Sequence, residues 1–131
     1  MKSQSRPNTY WIASFVLMCL IFLISSFPAP EELPVFPFAD KLYHLLEYGL
    51  LASLIYFARE KSRPRVYPIL IPFLIAFLYG ISDEIHQYFV PGREADVFDA
   101  LADAAGGFFF PLGIHAIRHR SRTSSCKKEE L

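Results

Sequence analysis

Residues 98–117 read FDALADAAGGFFFPLGIHAI, an apolar stretch whose two charged side chains, Asp99 and Asp103, lie near its amino-terminal end. A helix needs about 20 residues to cross the hydrocarbon core of a bilayer. Counting back that far from Arg118 reaches Phe98, so a span that excluded the two acids would be too short. At a rise of about 1.5 Å per residue, Asp103 would lie roughly 7 Å deeper than Phe98. The stretch therefore predicts a membrane-spanning helix whose outer end carries carboxylates.

Three further apolar stretches have the length of membrane spans, at residues 10–27, 41–58 and 66–89. An alternative with three spans arises because the second and fourth stretches contain charged residues, but the length of residues 98–117 argues against it. The chain has 131 residues, of which 53% are hydrophobic. We therefore predict one all-α domain over residues 1–131, a polytopic membrane protein built as a four-helix transmembrane bundle.

Lysine and arginine are distributed asymmetrically around these spans. Of the 13 basic residues, 11 precede the first span, join the second span to the third, or follow the fourth. The opposite side keeps only Lys41 and Arg93. Basic residues are enriched on the cytoplasmic side of membrane proteins. We therefore expect both termini in the cytoplasm, which agrees with an even number of spans.

Acidic residues are concentrated on the other side. Ten of the 13 carboxylates lie in residues 31–47, 83–84 and 94–103, each at an end of an apolar segment. If the spans alternate in direction, all three stretches emerge at the same, outer face. Ionisable groups at membrane depth are costly and commonly mark functional sites. The pattern predicts an acidic, histidine-containing site at that face.

Helical spacing arranges the polar residues in stripes. Side chains three or four positions apart share a helix face, and Asp40, His44 and Glu47 recur at such intervals. Turning an ionised group to lipid costs about 3 kcal/mol, so the stripes of the last three helices should face one another. The residues expected to bind a ligand are Asp40, Lys41, His44, Glu47, Tyr48, Asp83, Glu84, Gln87, Arg93, Asp99 and Asp103.

The same residues resemble the motifs of a known family. The pieces DKxxHxxxY (residues 40–48), DExxQxFxPxR (83–93) and DxxxDxxG (99–106) are similar in order and spacing to the VanZ-like membrane proteins, a match that spans residues 40–106. The family's founding member is associated with resistance to teicoplanin-type glycopeptide antibiotics. The resemblance implies a cell-envelope protein of the bacterial cytoplasmic (inner) membrane that affects glycopeptide susceptibility.

Two positions depart from the family pattern. Asp103 stands where many members have asparagine, which adds a carboxylate to the site. Phe110 stands where a further glycine is common, and its bulk opposes close packing at the middle of the fourth helix.

Two classes of function fit this site. As an enzyme, the chain would act on the head group of a lipid-linked envelope precursor, with Glu84, Asp99 or His44 as the catalytic base and Arg93 holding phosphate. As a binding module or a small proton- or cation-coupled transporter, it would capture a cationic compound or an amphiphilic antibiotic. Four short helices leave little room for alternating access, so a transporter would form a homo-oligomer. The lipid bilayer is its other partner, and no feature predicts nucleic-acid binding.

The polar cluster itself has two further interpretations. Internal ion pairs, Lys41 with Asp83 and Arg93 with Asp99, could hold the helices together. Against this, a structural network would not need so many acids beside so few cations. No organic cofactor is indicated, but an acidic site with an imidazole could bind a divalent metal such as Mg²⁺, Mn²⁺ or Zn²⁺. The candidate metal ligands are His44, Glu47, Glu84 and Asp99.

Overall fold

Four α-helices make up the described part of the chain. The computed structural model describes residues 9–28, 38–62 and 67–129, and within these ranges it contains no strand. The predicted all-α class with four helices is therefore confirmed. Some of the basic and acidic residues counted in the sequence, such as Lys2, Arg6 and Glu31, lie outside the described residues. The helices are α1 (Thr9–Ser25), α2 (Ala39–Ser62), α3 (Leu70–Tyr88) and α4 (Val97–Glu129).

The start of α3 and the end of α4 differ from the predicted boundaries. The reason is that the local geometry of the chain, and not the thickness of a bilayer, determines where a helix begins and ends. α3 begins four residues later than the predicted 66, after Tyr67, whose φ of 52° is incompatible with an α-helix, and after Pro68. α4 continues past the predicted 117, because no glycine or proline interrupts the sequence from there to Glu129. The expected end at 117 came from the length of a membrane span, which does not itself stop a helix.

The helices run up and down, with α2 at the centre. α2 packs against α1, α3 and α4, and most extensively against α4. At one end, Tyr10 of α1 lies beside Phe57 of α2, with ring centroids 5.4 Å apart, and Arg118 of α4 pairs with Glu60 of α2 at 2.6 Å. The polar residues therefore lie at the opposite end. The buried core between the two ends consists of Ile21, Tyr48, Leu51, Ala52, Ile55 and Ala76.

Small residues allow α2 and α4 to approach each other closely. A Cβ atom on Gly106 of α4 would collide with the backbone carbonyl of Leu45 of α2 and lie 3.0 Å from the amide nitrogen of Gly49. Gly49 leaves room in turn for Phe110, whose ring would be 2.7 Å from a Cβ at that position. The bulk at Phe110 is therefore accommodated by α2, and the expectation that it opposes close packing is wrong.

Large apolar side chains cover much of the outside of the bundle. Phe15 of α1, Leu78 of α3 and Phe109 of α4 are each more than 60% exposed. Among the described helices, the one long and apolar enough to cross a membrane runs over Val97–Ser121, while α1 is apolar but only 17 residues long. The four-span topology predicted from the sequence stays a prediction.

Candidate functional site

The polar side chains converge at the end of the bundle formed by the last turn of α1, the first turns of α2, the last turns of α3 and the start of α4. We call this the acidic end. A type II-like turn at Val90–Arg93 joins α3 to α4 there, with Pro91 in its second position and Gly92, at φ 79°, in its third. The amide of Arg93 donates to the carbonyl of Val90 at 3.1 Å.

Lys41, in the first turn of α2, joins three carboxylates. Its Nζ lies 2.7 Å from Asp40 Oδ2, 2.5 Å from Asp96 Oδ2 and 2.8 Å from Asp99 Oδ1. The structure therefore pairs Lys41 with Asp40, Asp96 and Asp99. The predicted ion pair of Lys41 with Asp83 is wrong. The reason is that the start of α4 lies over the start of α2, whereas Asp83 faces α1.

Asp96 connects this ion cluster to the start of α4. Its Oδ1 accepts a hydrogen bond from the amide of Phe98 at 2.8 Å, as an N-cap residue does. The ammonium of Lys41, and then this amide, hold the pKa of Asp96 below its usual value because both stabilise the ionised form. The backbone amide of Asp96 donates to Glu84 Oε2 at 3.0 Å, which attaches α3 to the same point.

His44, one turn into α2, lies among three carboxylates from α3 and α4. Its Nδ1 is 2.9 Å from Asp103 Oδ1 and 3.9 Å from Glu84 Oε1, and its Nε2 is 3.9 Å from Asp99 Oδ2. Asp103 is 1% exposed. The three stripes predicted to face one another thus meet around one imidazole. Tyr48 lies one turn deeper, fully buried, with its ring parallel to that of His44 at 6.3 Å.

A second polar group joins α1 to α3. Ser25 Oγ donates to Asp83 Oδ2 at 2.9 Å, and Gln87 Nε2 donates to the same oxygen at 2.9 Å. Ser26 Oγ lies 3.0 Å from His86 Nε2. No role at the site is predicted for the first helix from the sequence. The missed signal was the pair of serines that ends an otherwise apolar run at the acidic end.

Among the described residues, the partners of Arg93 are at the end of α1 and are not carboxylates. Its Nε donates to the carbonyl of Phe27 at 2.9 Å, and one terminal nitrogen donates to the carbonyl of Ile24 at 3.2 Å. The expected pair of Arg93 with Asp99 is therefore wrong. The last carbonyls of a helix lack partners within the helix and carry partial negative charge, so they attract a nearby guanidinium.

A cavity of about 520 Å³ opens between these groups. Five carboxyl groups line it, together with the imidazole of His44 and the guanidinium of Arg93. Of the residues predicted to bind a ligand, Tyr48, Lys41, Glu84 and Asp103 do not line it. The cavity carboxyl groups are Asp40, Glu47, Asp83, Glu94 and Asp99.

The sequence of the chain matches a known protein family. The family described as VanZ/LLP1 matches residues 10–118, which cover α2 and α3 entirely, α1 apart from Thr9, and α4 as far as Arg118. The chain belongs to the VanZ/LLP1 family. No curated protein and no solved structure shows a significant match.

Membership of the VanZ/LLP1 family confirms the resemblance found in the polar motifs. The matched region includes the serines of α1 as well as the acidic residues of the other three helices. In this VanZ-family chain, the three carboxylates nearest to His44 come from two different helices. Within the described residues, the groups able to hold a metal ion are His44, Glu84 and Asp103, whose ligand atoms lie within 4.8 Å of one another. Glu47 and Asp99, the other two expected ligands, are not part of this group.

Proposed function

We propose that this VanZ-family chain is a four-span protein of the bacterial cytoplasmic membrane whose acidic cavity binds the positively charged group of an amphiphilic compound at the outer face. Binding there would alter the susceptibility of the cell to glycopeptide antibiotics, the role that the family resemblance implies. Both termini would lie in the cytoplasm, in line with the distribution of the basic residues.

The observation that carries the proposal is the charge of the cavity. Five carboxyl groups line it. The guanidinium of Arg93 also lines the cavity, but it is already hydrogen-bonded to two backbone carbonyls at the end of α1. A cavity with this excess of acid attracts cations and repels anions. Its volume of about 520 Å³ lies in the range of small-molecule sites, so it could hold an amine together with part of the attached molecule.

The surface of the bundle supports the membrane location. Apolar side chains more than half exposed occur on α1, α3 and α4, including Phe15, Leu78 and Phe109. Soluble proteins rarely expose such extended apolar surface. With lipid around the helices, the cavity would be reached from the head-group region or from water, where an amphiphile places its charged end.

The test compares antibiotic binding and susceptibility in matched variants. We expect Asp83→Asn and Glu47→Gln to weaken binding of a fluorescent teicoplanin-type antibiotic to the purified protein by about tenfold, which corresponds to about 1.4 kcal/mol. The same variants should abolish the effect of expression on the inhibitory concentration. The control is Glu60→Gln, which removes a carboxylate at the opposite end and should leave both values unchanged. Equal binding by all four proteins would refute the proposal.

A second candidate is supported by an apolar groove beside Glu84. The groove, of about 360 Å³, lies between α3 and α4 and could hold the hydrocarbon chain of a lipid. Glu84 lines the groove and also approaches His44, so a lipid head group would meet acid and imidazole together. In that case Glu84, Asp99 or His44 would act as general base on a lipid-linked envelope precursor. Turnover of a labelled precursor by the purified protein, lost in Glu84→Gln, would favour this enzyme over the binding module.

A further inference from the structure

We propose that His44, Glu84 and Asp103 form a binding site for one divalent metal ion, with Zn²⁺ the best fit. This inference goes beyond the proposed function, because Glu84 and Asp103 do not line the acidic cavity and either proposal can fail without the other. Each ligand comes from a different helix, His44 from α2, Glu84 from α3 and Asp103 from α4.

The three ligand atoms lie close enough together to surround one metal ion, all within 4.8 Å of one another. His44 Nδ1 lies 2.9 Å from Asp103 Oδ1 and 3.9 Å from Glu84 Oε1. With metal–ligand bonds of about 2.1 Å, two ligands of one ion lie about 3.0–3.4 Å apart when adjacent and about 4.2 Å apart when opposite. An ion between the three atoms therefore needs only small side-chain adjustments.

The second observation is a buried oxygen without a partner. Glu84 Oε1 is inaccessible to solvent and receives no hydrogen bond within the described residues. Its side chain is 9% exposed. The other oxygen, Oε2, accepts a hydrogen bond from the backbone amide of Asp96. This bond holds the carboxylate with Oε1 on the side of His44. An unpaired buried oxygen is unfavourable, and more so when charged, so a cation at this point would stabilise the folded protein.

The surroundings of His44 are those of a metal-binding histidine. A metal-bound imidazole usually donates its other ring N–H to a carboxylate, which fixes the orientation of the ring. Here the second nitrogen, Nε2, lies 3.9 Å from Asp99 Oδ2, and Asp99 is itself held by Lys41. Asp99 is therefore the carboxylate placed to accept a hydrogen bond from Nε2 once Nδ1 holds an ion.

The donor set selects the kind of metal. One imidazole nitrogen with two carboxylates suits Zn²⁺ better than Mg²⁺ or Ca²⁺, which prefer oxygen ligands alone. Three protein ligands also leave one coordination position open, as in zinc sites that bind an exchangeable ligand. His44 is the one of the three ligands that also lines the acidic cavity.

The test is metal binding by the full-length protein in detergent, without any antibiotic. After treatment with a chelator, we expect the protein to take up about one equivalent of Zn²⁺ in a calorimetric titration and to bind Mg²⁺ at least about a hundredfold more weakly. Asp103→Asn and Glu84→Gln, which keep side-chain size, should weaken zinc binding at least about tenfold, as expected for loss of a metal ligand. The proposal would be overturned if the unaltered protein bound no zinc, or if both variants bound zinc as tightly as the unaltered protein does.

Asp83→Asn separates this proposal from the previous one. Asp83 lines the acidic cavity but is not among the three metal ligands. We expect this variant to bind the antibiotic about tenfold more weakly and to keep its zinc affinity within about threefold, a change of less than about 1 kcal/mol. Titration of the unaltered protein with Co²⁺ covers the case in which a variant fails to fold. Visible absorption typical of four- or five-coordinate cobalt supports the site, and its absence contradicts it.

Discussion

Replacement of Gly106 by alanine tests whether close contact between α2 and α4 assembles the site. A Cβ at this position would collide with the carbonyl of Leu45, which belongs to the rigid backbone of α2 and cannot rotate away. Gly106 lies three residues after Asp103, and Leu45 directly follows His44. Separation of the helices at Gly106 would therefore also lengthen the contact between His44 and Asp103.

Gly113→Ala is the matched control on the same helix, because no atom lies within 4 Å of a Cβ at that position. Alanine is favoured over glycine within a helix by about 0.5–1 kcal/mol, and both variants gain this amount. Only Gly106→Ala also incurs overpacking, which costs about 1–3 kcal/mol. The difference in the free energy of unfolding between the two variants should therefore be about 1–3 kcal/mol.

The assay is unfolding of the purified protein in mixed micelles with increasing dodecyl sulfate, followed by far-ultraviolet circular dichroism. We expect Gly113→Ala to match or exceed the stability of the unaltered protein and Gly106→Ala to unfold at a lower dodecyl sulfate fraction. Equal stability of the two variants would refute the close contact of α2 and α4 at this point.

Three further predictions concern the charged groups of the acidic end. Lys41→Met should lower the free energy of unfolding by about 2 kcal/mol in the same assay, because Asp99 would stay buried without its cation; an unchanged value would contradict the ion cluster. Arg93→Ala should destabilise by about 0.3–1 kcal/mol and accelerate amide hydrogen exchange at the end of α1, whereas exchange unchanged there would exclude the carbonyl contacts. Because the pKa of Asp96 is lowered from 3.8 in the folded protein, its stabilising contribution should be present above about pH 4 and lost as the pH falls through the folded-state pKa. Asp96→Asn should remove that part of the pH dependence, and an identical pH profile in the variant would count against it.

Much of the arrangement follows from the sequence because helical periodicity is local. The spacing of Asp40, His44 and Glu47 fixes one polar face whatever the neighbouring helices are. The position of each stripe at one end of its apolar segment then brings the stripes to the same end of an up-and-down bundle. For this reason His44, Glu84, Asp99 and Asp103 could be expected near one another before the structure was known.

The choice of partners could not be predicted, because it depends on how helix ends are placed in three dimensions. Arg93 follows a turn that directs it to the end of α1, where free carbonyls compete with Asp99 for the guanidinium. Likewise, Gly49 on α2 accommodates Phe110 on α4, a match between positions 61 residues apart that no local pattern reveals. Local spacing thus identified the polar residues, and tertiary packing decided their contacts.

The most direct test of the account asks which side of the membrane the acidic end faces. In a variant with Cys19 and Cys126 replaced by serine, single cysteines would be introduced as Glu94→Cys at the cavity and Arg120→Cys near the end of α4. We predict that a membrane-impermeant maleimide labels Glu94→Cys in intact cells and labels Arg120→Cys only after the membrane is permeabilised. Labelling of both positions from outside, or of Arg120→Cys alone, would contradict an acidic cavity at the outer face.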